Sequence, residues 1–218
     1  EIYTLSLHDA LPIYELSQVE KYGLRVTLVD HPMVQHKLSL LRSADTPSKQ
    51  FRELVRELAL FEGYEATRDL PLTDVQVTTP ICATTCKAVE GKKLAIVPIL
   101  RAGLGMVEGL LELMPAAKVG HLGMYRDETT HEPHEYYAKM PEDIAARDVI
   151  IVDPMLATGG SATAAIAYLR SCGVKSIKLA VLVAAPVGLE TVLAADSDVH
   201  VFTCAIDERK FVDRKSVV

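Results

Sequence analysis

The feature that most constrains this chain is an alternation. Short runs dominated by apolar residues occur at 94–100 (LAIVPIL), 119–125 (VGHLGMY), 149–152 (VIIV), 177–184 (IKLAVLVA) and 199–204 (VHVFTC). Segments with helical spacing at 103–113, 160–171 and 187–194 separate several of them. A strand that is apolar on both faces must be covered on both faces, and helices between successive strands supply that cover. The pattern predicts an α/β fold with a mostly parallel central sheet flanked by helices.

Ahead of these runs the chain reads differently. Residues 24–29 form a short strand-like run. Residues 31–42 read as a helix with Pro32 in its first turn and Val34, Leu38 and Leu41 on one face. A longer helix is expected over 46–68, with Thr46 as N-cap before Pro47 and with Phe51, Leu54, Val55, Leu58 and Phe61 at helical spacing. Val75 and Val77 alternate with polar residues over 72–78, as in a strand exposed on one face. No internal repeat or low-complexity tract is present.

At 218 residues and 49% hydrophobic content, the chain can bury one substantial core, so one domain is expected, over 14–209. Residues 1–13 (EIYTLSLHDALPI) and 210–218 (FVDRKSVV and the preceding Lys210) carry no matching pattern and read as foreign to it. A net charge of −6 argues against nucleic acid as a main partner, because phosphate backbones reward basic surfaces. No run approaches the roughly 18 apolar residues of a membrane span, and no secretion signal is read at the start. Cys82 and Cys86 are spaced CxxxC, but no second pair or nearby His completes a zinc set. With Cys172 and Cys204 they read as reduced thiols of a cytoplasmic protein.

Open parallel sheets bind ligands at the carboxyl ends of their strands. Three segments fall there: RAGLG after 94–100, RDE after 119–125, and DPMLATGGS after 149–152. In the third, a buried strand delivers Asp153, and a loop of small residues leads into a helix beginning near Gly160. Thr158, Gly159, Gly160, Ser161 and Thr163 offer amides and hydroxyls at that helix N-terminus, whose unpaired N–H groups and partial positive charge suit a phosphate. Asp153 would then accept hydrogen bonds from the hydroxyls of an attached sugar. The loop is neither a Walker A sequence nor GxGxxG. A merely capped helix after a strand is the plainer alternative. The polar stretch 126–143 (RDETTHEPHEYYAKMPED) is long for a loop, with only 136–140 strand-like, and reads as a lid. His131 and His134 within it lack a third ligand and read as solvated.

The segment VIIVDPMLATGGS resembles the phosphoribosyl pyrophosphate (PRPP) motif of type I phosphoribosyltransferases, with Pro154 where many members have a second acid. Together with VPILRAGLGM (97–106), GMYRDE (123–128), HPMVQHKLSLLR (31–42), FRELVRELALFEGYEAT (51–67) and LVAAPVGLE (182–190), it resembles the uracil phosphoribosyltransferase family over roughly 24–209. The resemblance implies a type I phosphoribosyltransferase fold with added N-terminal helices, and transfer of phosphoribose from PRPP to N1 of uracil, giving UMP and pyrophosphate. It implies that PRPP is held by Arg101, Arg126, Asp153, Pro154, Met155, Leu156, Ala157, Thr158, Gly159, Gly160 and Ser161, with Asp153 and Arg126 closest to catalysis. It implies Mg²⁺ bound mainly through PRPP, with no direct protein ligands, a homo-oligomer, and GTP as an effector in some relatives.

The match departs from the family after Arg209. There the family carries a hood over uracil, resembling Tyr-Ile-x-Pro-Gly-Leu-Gly-Asp-Ala-Gly, and residues 210–218 do not resemble it. An incomplete hood and weak turnover are therefore expected of this chain. Two other readings remain open at this level: a non-catalytic PRPP-binding regulator on the same fold, and a phosphoribosyltransferase for another base.

Overall fold

A computed structural model describes residues 19–91, 94–126 and 133–207, with the backbone alone for 125, 126 and 133–135. The strands are β1 (Val26–Leu28), β2 (Leu72–Thr78), β3 (Ala83–Val89), β4 (Leu94–Leu100), β5 (Lys118–Val119), β6 (His121–Arg126), β7 (Pro133–Lys139), β8 (Asp148–Val152), β9 (Met155–Leu156), β10 (Ser176–Ala184) and β11 (His200–Ile206). The helices are α1 (Pro32–Arg42), α2 (Ser48–Ala66), α3 (Leu104–Leu113), α4 (Gly160–Ser171) and α5 (Pro186–Ala195).

The main sheet runs β1-β11-β10-β8-β4-β6-β7, with β5 added to β4 and β9 to β10. Every pairing in it is parallel except β6 with β7. Side-chain alternation divides its core between two faces. Ile96, Ile150, Ala180, Phe202 and Cys204 meet α1, α2 and α3 through Val34, Leu38, Leu58, Met106 and Leu110. Ala95, Val97, Val149, Ile151, Leu179 and Val201 face the other way, towards Ala165, Ile166, Leu169, Leu189 and Val192 of α4 and α5. Register matches the two sets strand by strand: Ile96 stands beside Ile150, Val97 beside Ile151, and Leu179 beside both Ile151 and Val201. This double burial is why β4, β8 and β10 read as continuous apolar runs.

Several local expectations are corrected. Thr46 does not cap α2: its hydroxyl donates to Leu40 O at 2.5 Å, tying off α1, and Pro47 occupies the cap position. The run at 24–29 becomes a 3-10 turn at Gly23–Arg25 followed by the three residues of β1. The run at 119–125 divides at Gly120, although Gly120 N still donates to Ile96 O at 2.9 Å and keeps the chain on β4. The polar stretch 126–143 is not one loop. Residues 133–139 form β7, which turns back antiparallel on β6, and the Tyr136 ring lies over Gly123, where any Cβ would strike it. Its period-2 pattern is weak because Tyr136 and Tyr137 are both about half exposed. Residues 127–132, and with them His131, lie outside the described residues.

β2 and β3 form a separate two-stranded antiparallel hairpin, pairing Leu72 with Val89 and Thr78 with Ala83. β3 (ATTCKAV) lacks the apolar alternation that would have marked it as a strand, since nearly all of its side chains face solvent.

Candidate functional site

The chain leaves β8 at Val152, but the following residues do not hang free. Asp153 N donates to Ala180 O at 3.2 Å, Pro154 O accepts from Val183 N at 3.2 Å, and Leu156 O accepts from Ala185 N at 2.8 Å. Met155 and Leu156 thus extend the sheet as β9, in register with Val183 and Ala184. The Leu156 side chain is buried in the core at 3% exposure, so this residue anchors the loop. Met155 and Thr158 are exposed, while Asp153, Pro154, Ala157, Gly160 and Ser161 are half-buried.

Gly159 then caps α4 with φ +85° and ψ −14°, a left-handed conformation that L side chains rarely adopt. A Cβ there would lie 2.8 Å from Thr191 Cβ and 2.9 Å from Gly188 O. Gly188 answers from the other side: its own Cβ would meet Ala157 O at 2.7 Å and Leu156 O at 2.9 Å. The loop backbone is therefore pressed against the first turn of α5 through a pair of glycines. Gly160, by contrast, faces open space, with nothing within 4 Å of an added Cβ. Thr163 N makes the first backward bond of α4, to Gly159 O at 2.8 Å. The amides of Gly160, Ser161 and Ala162 thus precede the intrahelical ladder and concentrate positive potential at the loop. An anion with several oxygens is the ligand such an end accommodates best.

The neighbouring strand end contributes Arg101. After β4 the chain turns through Arg101, Ala102 and Gly103; Gly103 N donates to Ile99 O at 2.9 Å, and Leu104 N to Arg101 O at 3.2 Å. The Leu100–Arg101 peptide is cis. Gly103 lies directly against Val152 O, so this turn folds onto the end of β8 beside Asp153. Arg101 is exposed, with no ion-pair partner among the described residues. The backbone of Arg126 ends β6, the next strand beyond β4; its side chain lies outside the described residues. Asp153, Arg101 and Arg126 thus close three adjacent strands, spanning about 10 Å of sheet edge. The Asp153 strand end, the α4 N-terminus and the Arg101 turn share one rim, with the Arg126 backbone one strand further along. That combination can hold a sugar at one end and a polyphosphate along it.

Sequence reasoning did not single out Gly103 or Gly188, which set how closely the loops pack. The only signal was a glycine at the start of each following helix. Another large space, a cavity of about 840 Å³, opens at the opposite end of the sheet. Leu70, Leu94, Met114, Arg147 and Lys175 are among its lining residues. It lies at the amino ends of β4, β8 and β10, where this class of sheet does not place its ligands. The Arg147 guanidinium is also taken up by Asp143 and Leu94 O. No group of three or more His, Cys, Asp or Glu side chains able to hold a metal occurs among the described residues.

A family model for uracil phosphoribosyltransferase matches residues 28–216. The chain belongs to the uracil phosphoribosyltransferase family. It is 60% identical over 185 residues to a uracil phosphoribosyltransferase of Clostridioides difficile (strain 630), covering 85% of this chain and 88% of that protein. It is 59% identical over 184 residues to one of Agathobacter rectalis, covering 84% and 88%. Among solved structures, the AQ2163 protein of Aquifex aeolicus superposes with a TM-score of 0.80 at 36% identity, over 84% of this chain and 88% of that one. A purine phosphoribosyltransferase from Pyrococcus horikoshii superposes with a TM-score of 0.50 at 19% identity, over 75% and 92%, and shares the fold alone. The expected type I phosphoribosyltransferase fold is thus present, with α1 and α2 lying between β1 and the later strands of the sheet. The family's uracil hood would follow β11; residues 208–218 lie outside the described residues. So do residues 1–18, and no helix among the described residues is long and apolar enough to cross a membrane.

Proposed function

We propose that the chain transfers the phosphoribosyl group of PRPP to N1 of uracil, releasing pyrophosphate and forming UMP. The observation that carries this reading is the rim itself: the β8 carboxylate, the open amide end of α4 and the Arg101 turn stand on adjacent strand ends, inside a family match covering most of the chain.

In this reading the 5′-phosphate sits on the amides of Gly159, Gly160 and Ser161, with the Thr158 and Ser161 hydroxyls beside it. Asp153 accepts hydrogen bonds from the ribose 2′- and 3′-hydroxyls and stabilises positive charge developing on the sugar. Pro154, Met155, Leu156 and Ala157 hold the backbone between these two groups. Arg101 and Arg126 take the pyrophosphate, because guanidinium forks match phosphate oxygens and keep their charge. The C1′–O bond breaks early, and N1 of uracil attacks the resulting cation-like carbon, its proton passing to solvent or to the departing pyrophosphate. Catalysis then rests on holding the leaving group and aligning the base.

Mg²⁺ fits this donor set as an ion that enters with the pyrophosphate, since 153–161 offers one carboxylate and otherwise small or neutral side chains. When bound it would neutralise pyrophosphate charge. Two further expectations belong here. The hairpin β2–β3, with Leu72, Val77, Ile81 and Val89 exposed, supports assembly with further copies of the chain. Four free thiols and highly charged substrates support a cytoplasmic reaction.

The test is product identity: labelled uracil, PRPP and Mg²⁺ are incubated with the protein, with and without GTP and with hypoxanthine as competitor. UMP as the sole nucleotide, unaffected by hypoxanthine, is expected. Formation of a purine nucleotide, or failure to bind PRPP, overturns the reading.

A further inference from the structure

One carboxyl group is buried in the core, away from the strand-end rim. Glu62 lies on the sheet-facing side of α2, among Leu58, Ala59 and Ala66 of its own helix, and is 0% exposed. Cys204 Sγ on β11 donates to Glu62 Oε1 at 3.5 Å. Glu62 Oε2 has no hydrogen-bond partner among the described residues.

Among the described residues no cation serves this group. The elements packed on α2 are α1, α3, β10 and β11. On α1, Lys37 is paired with Glu57 and Arg42 with Asp207, while His36 is exposed. On β10, Lys178 is held by Asp69 and by the Ala66 carbonyl. On α3, Glu112 pairs with Arg56 and Glu108 is exposed. On β11, His200 hydrogen-bonds Thr27. A carboxylate in this position would lose its hydration for one weak S–H donor, a far larger penalty than that of a neutral carboxyl group. Burial accordingly pushes the Glu62 carboxyl well above the usual range, with Cys204 opposing slightly. The Cys204 thiol is pushed up in turn, by burial and then by the carboxyl beside it.

We propose that Glu62 is carried in the native fold as the neutral acid and serves as a proton-linked latch between α2 and β11, loosening that contact when the proton leaves. The position gives the latch reach. β11 ends at Ile206, in register with Ala184, and Asp207 N donates to Ala184 O at 2.8 Å. The next residue, Ala185, bonds the 153–161 loop through Leu156 O. A change in the seating of β11 is therefore two residues from the backbone that positions the loop.

The sign follows from linkage. An acid whose folded pKa is raised contributes its full stability below the unfolded value, near 4.3, and loses it as pH rises towards the folded pKa. The loss is at most one proton's worth, about tenfold in the folding equilibrium per pH unit.

The experiment is urea unfolding of the whole chain at fixed concentration from pH 5 to 8, for wild type, Glu62→Gln and Glu62→Met. Relative to Glu62→Gln, the wild-type folding constant falls roughly tenfold between pH 5 and 6, and falls further above that. In parallel, glutamate is labelled with ¹³C at Cδ, and the Glu62 signal is identified by its absence in Glu62→Gln. It keeps its protonated shift at pH 6.5. A Glu62 signal titrating at an ordinary carboxyl value, or parallel stability curves for wild type and Glu62→Gln, overturns the proposal. If Glu62→Met fails to fold, the isosteric Gln variant and the carbon signal still decide.

Discussion

Two adjacent glycines at the head of α4 look interchangeable in sequence, and the structure predicts opposite outcomes for them. Gly159→Ala places a methyl group on a backbone at φ +85°, which costs an L residue roughly 1–2 kcal/mol. The methyl would also lie 2.8 Å from Thr191 Cβ and 2.9 Å from Gly188 O. Gly188 closes the same seam against Ala157 O and Leu156 O, so relief requires α5 to shift off the loop as a unit. Overpacking of this kind adds roughly 1–3 kcal/mol, so a total loss of about 2–5 kcal/mol is expected. For a chain of this length that lowers Tm by roughly 4–20 °C. Gly160→Ala meets nothing within 4 Å and exchanges glycine for a better helix former. Its stability should stay within about 1 kcal/mol of wild type, on the stabilising side. Calorimetric melting and urea unfolding of both variants provide the comparison. Equal stability for Gly159→Ala and wild type, or an equal loss in both variants, would refute the packing argument.

Other outcomes follow from the same packing and pairing. Asp153→Asn should leave the melting temperature nearly unchanged and weaken PRPP binding or turnover about 10-fold or more; unchanged affinity and turnover would remove the ribose assignment. Arg170 and Asp196 form a two-pronged pair at 2.7 and 2.9 Å joining α4 to the end of α5. Arg170, followed by its backbone bonds, holds the Asp196 carboxyl below the usual range, despite partial burial. That stability is present above the unfolded value near 3.9 and is lost as pH falls through the lower folded value, a loss absent in Asp196→Asn. At pH 7 the substitution should cost roughly 1–2 kcal/mol in urea unfolding. Cys204 is buried in the core, so a thiol reagent should label it only on unfolding.

Much of the fold was legible because burial on both faces writes itself into sequence. Strands β4, β8 and β10 carry seven, five and nine residues with few polar interruptions, and no other element type suits such short runs between helices. What escaped detection was structure whose side chains face water: β3 is held by backbone pairing, which leaves no apolar period behind, while β7 was read only in part, as a strand-like stretch at 136–140. The site divides the same way. Asp153 and the glycines of the loop were recognisable from residue type, since only certain residues suit a left-handed cap or a helix N-terminus. The anchoring of 153–156 along β10 was hidden, because it uses main-chain groups common to every residue. Glu62 went unread although it follows Leu58 and Val55 at helical spacing on the apolar face, because an acid is ordinarily assigned to solvent.

In the proposed function the head of α4 holds the 5′-phosphate of PRPP. A crystal structure of the chain with PRPP and Mg²⁺ tests it directly. The phosphate should lie within hydrogen-bonding distance of the amides of Gly159, Gly160 and Ser161, with the ribose hydroxyls on Asp153 and the pyrophosphate towards Arg101. PRPP bound instead in the cavity lined by Leu94, Met114 and Lys175, or with its pyrophosphate on the α4 amides, would contradict the account.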